Sequence, residues 1–333
     1  MAESPLPPDD RLTLAGSDVS IPRLGVGTWS WGDKSTWGMG GYDASYSEAT
    51  IAEAWQASVD AGVVLFDTAE IYGNGESERI IGRILARDPG AREQVVIASK
   101  FMPMPWKLAV KSSLLAAARA SLERLGIESI DLYQIHAPIS FRSHDALADA
   151  LAAAHAEGLV RAVGVSNYSA KEMRAIDAAL RRRGLRLATN QIEFSLLRSK
   201  PEKVGLLAAC RELGVVPLAY SPIGQGRLTG KYSAGNPPPK GRTFSAYDMA
   251  TVDRVVDLLR SIGSAHDRTP SQVALNWITA KGAVPIPGAK NRMQAEENAG
   301  ALGWTMQPGE ASSLDEAALL VKESLSSRFF QHG

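Results

Sequence analysis

Short apolar runs along this 333-residue sequence end, one after another, in side chains that carry protons or hydrogen bonds. The residues at those ends are Asp67, Lys100, His136, Ser166 with Asn167, Gln191, Tyr220 with Ser221, and Gly288, and Tyr72 follows Asp67 closely. A carboxylate, an ammonium, a phenol and an imidazole brought together make a general acid with charges that tune it. A lysine in such a place also admits Schiff-base chemistry. Amides and hydroxyls suit recognition of a neutral polar group, and a tyrosine ring offers a flat face to stack on. Singly, each residue has an ordinary reading: Asp67 as a helix cap, Lys100 as a solvated strand end, His136 as a hydrogen-bonded core histidine. Their recurrence at successive run ends favours a site.

The runs lie at 24–27, 63–67, 95–100, 130–136, 162–166, 187–191, 215–220 and 283–287. Between them stand helical patterns such as 48–60, 112–125, 146–156 and 171–183, followed by Gly62, Gly126, Gly158 and Gly184 as stops. Strand then helix, eight times over, predicts an α/β fold: a single parallel (β/α)8 TIM barrel, one domain over 11–333 behind a flexible leader at 1–10. A barrel gathers all strand carboxyl ends on one rim, so residues distant in sequence converge there. The turn chemistry of Ala15-Gly-Ser-Asp18 between two short extended runs predicts an N-terminal hairpin. Long loops at 28–46, rich in Trp29, Trp31, Trp37, Tyr42 and Tyr46, and at 224–245 follow strands and so belong to the same rim. Trp29, Trp31 and, more remotely, Trp106 are the candidate substrate contacts.

Composition narrows the function. The 36 basic and 36 acidic residues cancel, which removes the net field that draws a chain to nucleic acid or anionic membranes. One cysteine cannot form an internal disulfide, and the five histidines show no ligand spacing, so no metal is expected. An acidic, proline-rich start and the lack of a long apolar run predict a cytoplasmic protein without a membrane partner. Gly25-Val-Gly27 lacks the third glycine of a dinucleotide fingerprint and reads as a tight exit from the first strand. Gly230-Lys-Tyr232 lacks the hydroxyl residue of a P-loop.

The motif order resembles the aldo-keto reductase family over about residues 11–305. Asp67-Thr-Ala-Glu-Ile-Tyr-Gly73, Lys100, Asp131-Leu-Tyr-Gln-Ile-His136, Gly164-Val-Ser-Asn167, Gln191, Ala219-Tyr-Ser-Pro222 and Ile286-Pro-Gly-Ala-Lys290 follow in the family's sequence. The Gly27-Thr-Trp-Ser-Trp-Gly32 opening resembles a plant-plastid and bacterial branch that includes pyridoxal reductase-like members.

The resemblance implies NADPH-dependent reduction of a small aldehyde or ketone, with NAD the lesser cofactor. Tyr72 would be the general acid, Lys100 would lower its pKa, Asp67 would keep Lys100 charged, and His136 would orient the carbonyl. It further implies that Ser166, Asn167 and Gln191 hold the carboxamide and that Tyr220 stacks on the nicotinamide. Ser221, Pro222, Ile223, Gln225, Gly226 and Arg227 would line the pyrophosphate with Lys231 nearby. Gly288, Ala289, Lys290, Arg292, Gln294, Glu297 and Asn298 would surround the adenosine ribose. Many relatives carry arginine where Gln294 stands, so a 2′-phosphate would fall to Lys290 and Arg292. Two other functions fit parts of the pattern: a Schiff-base aldolase using Lys100, and a non-catalytic module that senses NADP(H).

Overall fold

The computed structural model describes residues 11–32, 47–88, 90–239 and 247–321. The expected leader, the loop aromatics Trp37, Tyr42 and Tyr46, and the end of the 224–245 loop lie outside those residues. A two-stranded antiparallel hairpin, β1 (Arg11–Thr13) and β2 (Ser20–Pro22), comes first. Eight strands follow in one parallel sheet whose spatial order equals their chain order. They are β3 (Gly25–Gly27), β4 (Leu65–Asp67), β5 (Val96–Phe101), β6 (Ile130–Ile135), β7 (Val160–Ser166), β8 (Leu187–Glu193), β9 (Val216–Tyr220) and β10 (Val284–Pro285). A parallel bridge between Gly27 and Gly288 joins the two edges of the sheet, with Gly27 N–H donating to Pro287 O at 2.9 Å. This is the expected (β/α)8 barrel.

Gly25 and Gly27 therefore form the first strand rather than an exit from it. A side chain at Gly27 would put its Cβ 2.8 Å from the Ile286 carbonyl, so the bare backbone is what lets the barrel close.

Helices cover the outside because their sequences start and stop them cleanly. Ser47, Ser169 and Thr269 each cap a helix through a reciprocal capping box, opening Glu48–Asp60, Ala170–Arg181 and Pro270–Ala280. Gly126 takes the left-handed conformation that ends Val110–Leu125. The apolar faces of these helices pack on outward-facing residues such as Ile97, Phe101, Tyr133 and Ile135 to form the larger core.

A second core fills the barrel itself. Leu14, Val19 and Ile21 of the hairpin meet Leu65, Val96, Ala98, Leu132, Ala162, Ala188, Leu218, Val284 and Ile286. Side chains alternate along a strand, so the residues two further on share the interior side. Those residues are Asp67 after Leu65, Lys100 after Ala98, Gln134 after Leu132, Gly164 after Ala162 and Tyr220 after Leu218. The interior thus changes from apolar at the hairpin end to polar at the carboxyl rim. Strand β8 needs one correction to this alternation: Val163 pairs with Leu187 but Gly164 pairs with Thr189, which leaves Ala188 as an extra residue.

Candidate active site

Lys100 stands at the centre of the polar rim and is wholly buried. Its Nζ donates to Asp67 Oδ2 at 2.6 Å, to the Thr68 carbonyl at 2.8 Å and to the Tyr72 hydroxyl at 3.2 Å. Three bonds use all three ammonium protons. An ammonium has no lone pair, so Tyr72 must accept in its bond with Lys100, and its own O–H is free to point elsewhere. Burial pulls the lysine below its ordinary range, and the Asp67 charge opposes that pull.

Tyr72 is half-buried at the start of a tight turn spanning Tyr72–Gly75. Two contacts brace the Asp67–Tyr72 segment. Glu70 Oε1 accepts the Met102 N–H at 2.7 Å, and the Ser77 hydroxyl bonds to those of Thr28 and Thr68, with Thr28 Oγ1 donating to the Asp67 backbone carbonyl at 2.9 Å. The expected lowering of the tyrosine by Lys100 is not what the surroundings produce. Burial first, and the Asp67 charge second, push the Tyr72 phenol well above its ordinary 10, so it stays protonated.

His136 meets Tyr72 edge to face, with ring centres 5.7 Å apart. Burial, then the Lys100 charge, hold it well below 6.5, so the ring is neutral at neutral pH. Its Nδ1 is buried with no hydrogen-bond partner among the described residues. An unpaired buried acceptor is tolerated better than an unpaired N–H, which places the proton on Nε2.

The amide and hydroxyl residues join this cluster directly. Gln191 Nε2 donates to Asp67 Oδ1 at 2.8 Å, and Ser166 Oγ donates to the Gln191 carbonyl at 3.0 Å. Asn167 Nδ2 donates to Ser166 Oγ at 3.0 Å, while Asn167 Oδ1 accepts the Tyr220 hydroxyl at 2.9 Å. Asn167 and Ser221 both have positive φ, +65° and +51°, so the backbone turns sharply where strands β7 and β9 end. Beyond Pro222 and Ile223, Gly224, Gln225 and Gly226 are all left-handed, and Arg227 is buried with Nη1 on the Gly224 carbonyl at 3.2 Å. Lys231 is exposed, 5.6 Å from the Tyr232 ring centre.

At the far end of the rim, Trp31 Nε1 donates to the Ala289 carbonyl at 2.8 Å. Trp31 is fully buried and tilted against Phe66, which suits a strut between the first loop and the last strand rather than a substrate contact. Trp29 is half-buried, and Trp106 is 71% exposed. Lys290 is buried, and its N–H donates to Gln294 Oε1 at 2.9 Å. Arg292 is exposed and reaches Glu296 Oε1 at 3.2 Å. Glu297 accepts the Thr269 hydroxyl at 2.5 Å, and Asn298 Nδ2 donates to the Gly288 carbonyl at 3.2 Å. Both are occupied in bracing the helix Arg292–Ala299.

Two residues of the cluster escape a reading confined to strand ends. Gln134 Nε2 donates to Asp67 Oδ1 at 3.4 Å, and Gln134 Oε1 accepts the Thr189 hydroxyl at 3.1 Å. For Gln134 the signal in the sequence is its spacing, two residues after Leu132 on the same side of the strand, whereas Thr189 carries no such signal. Behind the rim, buried Glu78 accepts from Ser99 Oγ and from Arg124 Nε, each at 2.6 Å. A groove of about 540 Å³ between helices on the outer wall, lined by Arg79, Arg83 and Arg124, is remote from this chemistry. Those guanidiniums are already paired with Glu48, Glu76 and Glu78. Among the described residues no group of His, Cys, Asp and Glu could hold a metal ion, and no helix is long and apolar enough to cross a membrane.

Fold and rim together define a (β/α)8 barrel with its ionisable cluster at the carboxyl end of the strands. The chain belongs to the aldo/keto reductase family, whose model matches residues 23–318. It is 37% identical to the chloroplastic pyridoxal reductase of Arabidopsis thaliana over 325 residues, 94% of this chain and 87% of that protein. The solved glycerol dehydrogenase from Gluconobacter oxydans superposes with a TM-score of 0.78 at 28% identity, covering 93% of this chain and 95% of that one. An aldo/keto reductase from Klebsiella pneumoniae, solved with NADP and acetate, gives 0.70 at 26% identity over 91% and 94%.

Proposed function

We propose that this protein reduces an aldehyde or ketone to an alcohol with NADPH. The observation that carries the reading is the chain of bonds from Asp67 through Lys100 to the Tyr72 hydroxyl. The Klebsiella relative was solved with NADP, and the residues here fit such a cofactor. Ser166, Asn167 and Gln191 would hold the carboxamide, and the half-buried Tyr220 would face the nicotinamide ring. The left-handed run at Gly224, Gln225 and Gly226 would admit a pyrophosphate close to the backbone. Lys290 and Arg292 would take the 2′-phosphate.

NADPH, when bound, supplies the hydride for the carbonyl carbon. Tyr72 donates its hydroxyl proton to the carbonyl oxygen as negative charge develops there. Lys100, donating to the same phenol oxygen, stabilises the tyrosinate left behind, and Asp67 keeps that ammonium charged inside a dry site. His136 Nε2–H donates to the carbonyl oxygen and fixes its direction.

A Schiff-base role for Lys100 fits poorly, because a nucleophilic amine needs a free lone pair and an open approach. Lys100 has no exposed surface and three committed protons. The test is a panel of aldehydes and ketones headed by pyridoxal, assayed with NADPH deuterated at the transferred position. Deuterium on the product carbinol carbon is expected. Substrate trapped on the protein by borohydride, with no NADPH consumed, would replace this reading by an aldolase. Cofactor binding without turnover of any carbonyl would leave only a sensing module.

A further inference from the structure

We infer that Gln134 is a positioning residue that keeps Asp67 bonded to a donor while Gln191 is released to bind cofactor. The inference rests on the proposed role of Gln191 at the carboxamide. Lys100, Gln134, Gly164 and Thr189 form one row across four strands: Lys100 pairs with Gln134, Gln134 with Gly164, and Gly164 with Thr189. Nothing on the middle strand separates Gln134 from Thr189. A Cβ at Gly164 would stand 2.1 Å from Thr189 Oγ1 and 3.0 Å from Gln134 Cγ, so glycine is what lets the bond between them cross β7.

That bond orients the Gln134 amide. With Thr189 donating to Oε1, the amide NH2 is the group left facing Asp67 Oδ1. The reversed amide would set its carbonyl oxygen against a carboxylate oxygen, two acceptors with no proton between them. Gln134, Thr189, Asp67 and Gln191 are all essentially excluded from solvent, so no bulk water replaces a lost donor.

Asp67 Oδ1 therefore has two amide donors, at 2.8 Å from Gln191 and 3.4 Å from Gln134, while Oδ2 is held by Lys100. Gln191 has a second duty at the rim and Gln134 has none. When Gln191 turns to a carboxamide, Gln134 remains on Oδ1, and the carboxylate keeps its alignment with Lys100. Without Gln134, turning Gln191 away strips a buried carboxylate oxygen of its last donor, and cofactor binding must bear that loss.

The test is a double-mutant cycle read by NADPH titration of tryptophan fluorescence, which requires no turnover. Gln134→Met should raise the NADPH Kd about tenfold, the equilibrium effect of one hydrogen bond to a charged group. In a Gln191→Met background the same change should alter Kd by less than about twofold, because there is no longer an amide to release. A merely structural loss would lower affinity equally in both backgrounds, and that result overturns the inference. So does an unchanged Kd in Gln134→Met. Should Gln134→Met fail to fold, Thr189→Val decides: it removes the orienting hydroxyl, and a Kd raised about threefold or more supports the inference while an unchanged Kd overturns it. A parent protein that does not bind NADPH at all overturns the cofactor reading and this inference with it.

Discussion

Replacing Lys100 with Met separates the structural worth of the buried ion pair from its chemical worth. The substitution keeps the volume and removes donors from the Asp67 carboxylate, the Thr68 carbonyl and the Tyr72 hydroxyl. Asp67 is 2% exposed, so its Oδ2 cannot turn to water. Breaking a buried pair by removing one partner destabilises by about 3–5 kcal/mol, since a charge is left uncompensated. Replacing both partners with neutral groups of similar shape is far milder, so Lys100→Met/Asp67→Asn should lie within about 1–2 kcal/mol of the parent. Urea unfolding at constant m measures both. Turnover should behave differently, falling by at least about a hundredfold in the single variant and staying low in the double, because neither holds an ammonium at the phenol. Recovery of stability without recovery of turnover is the expected result. Recovered turnover in the double variant would refute the claim that Tyr72 needs the Lys100 charge, and a single variant as stable as the parent would refute the buried pair itself.

Charge reversal at Lys290 and Arg292, both to Glu, should weaken NADPH by several kcal/mol, at about 1.5–3 for each charged hydrogen bond lost, with NADH little changed. Equal losses for the two cofactors in fluorescence titrations would show that these side chains do not read the phosphate. His136 has a native pKa below its unfolded value of about 6.5, so the unfolded chain binds more protons just below that pH. Its contribution to stability is full above about pH 6.5 and is lost as pH falls toward the depressed native value. His136→Gln should flatten that part of the acid slope in urea midpoints, and an unaltered slope would mean that the histidine is not held neutral. Alkaline ultraviolet titration of the cofactor-free parent minus Tyr72→Phe should reveal no tyrosinate from Tyr72 at about pH 10, where an ordinary phenol is half ionised. A step well below that pH would restore the expectation that Lys100 lowers the phenol.

The sequence discloses the barrel because each strand is a compact apolar run and each crossover helix carries its own cap or stop, as at Ser169 and Gly126. Asp67, Lys100 and His136 are legible for a related reason: each breaks an apolar run at its carboxyl end, where a closed barrel has only one rim. Gln134 and Thr189 lie deeper in their strands, and only the alternation of side chains marks them as interior. For Thr189 even that fails, since the extra residue at Ala188 shifts the phase and pairing register is not written in one strand alone. Trp31 shows the limit for aromatics. A tryptophan in a glycine-rich loop serves equally as wall or as strut, and the Ala289 carbonyl that decides the matter is 258 residues away. The direction of the Tyr72 shift was illegible because it depends on burial, a property of the whole fold. Lys100 beside a phenol suggests lowering, yet desolvation and the Asp67 charge act the other way and outweigh it.

The proposed reduction requires Tyr72 to give its proton to the carbonyl oxygen. Tyr72→Phe isolates that step, because the change removes one oxygen and leaves the ring against His136. Steady-state reduction with NADPH, paired with NADPH titration of the same protein, is the measurement. Turnover should fall by about two to four orders of magnitude, with the NADPH Kd within about threefold of the parent. Turnover within about tenfold of the parent would contradict that requirement and transfer the proton to another group.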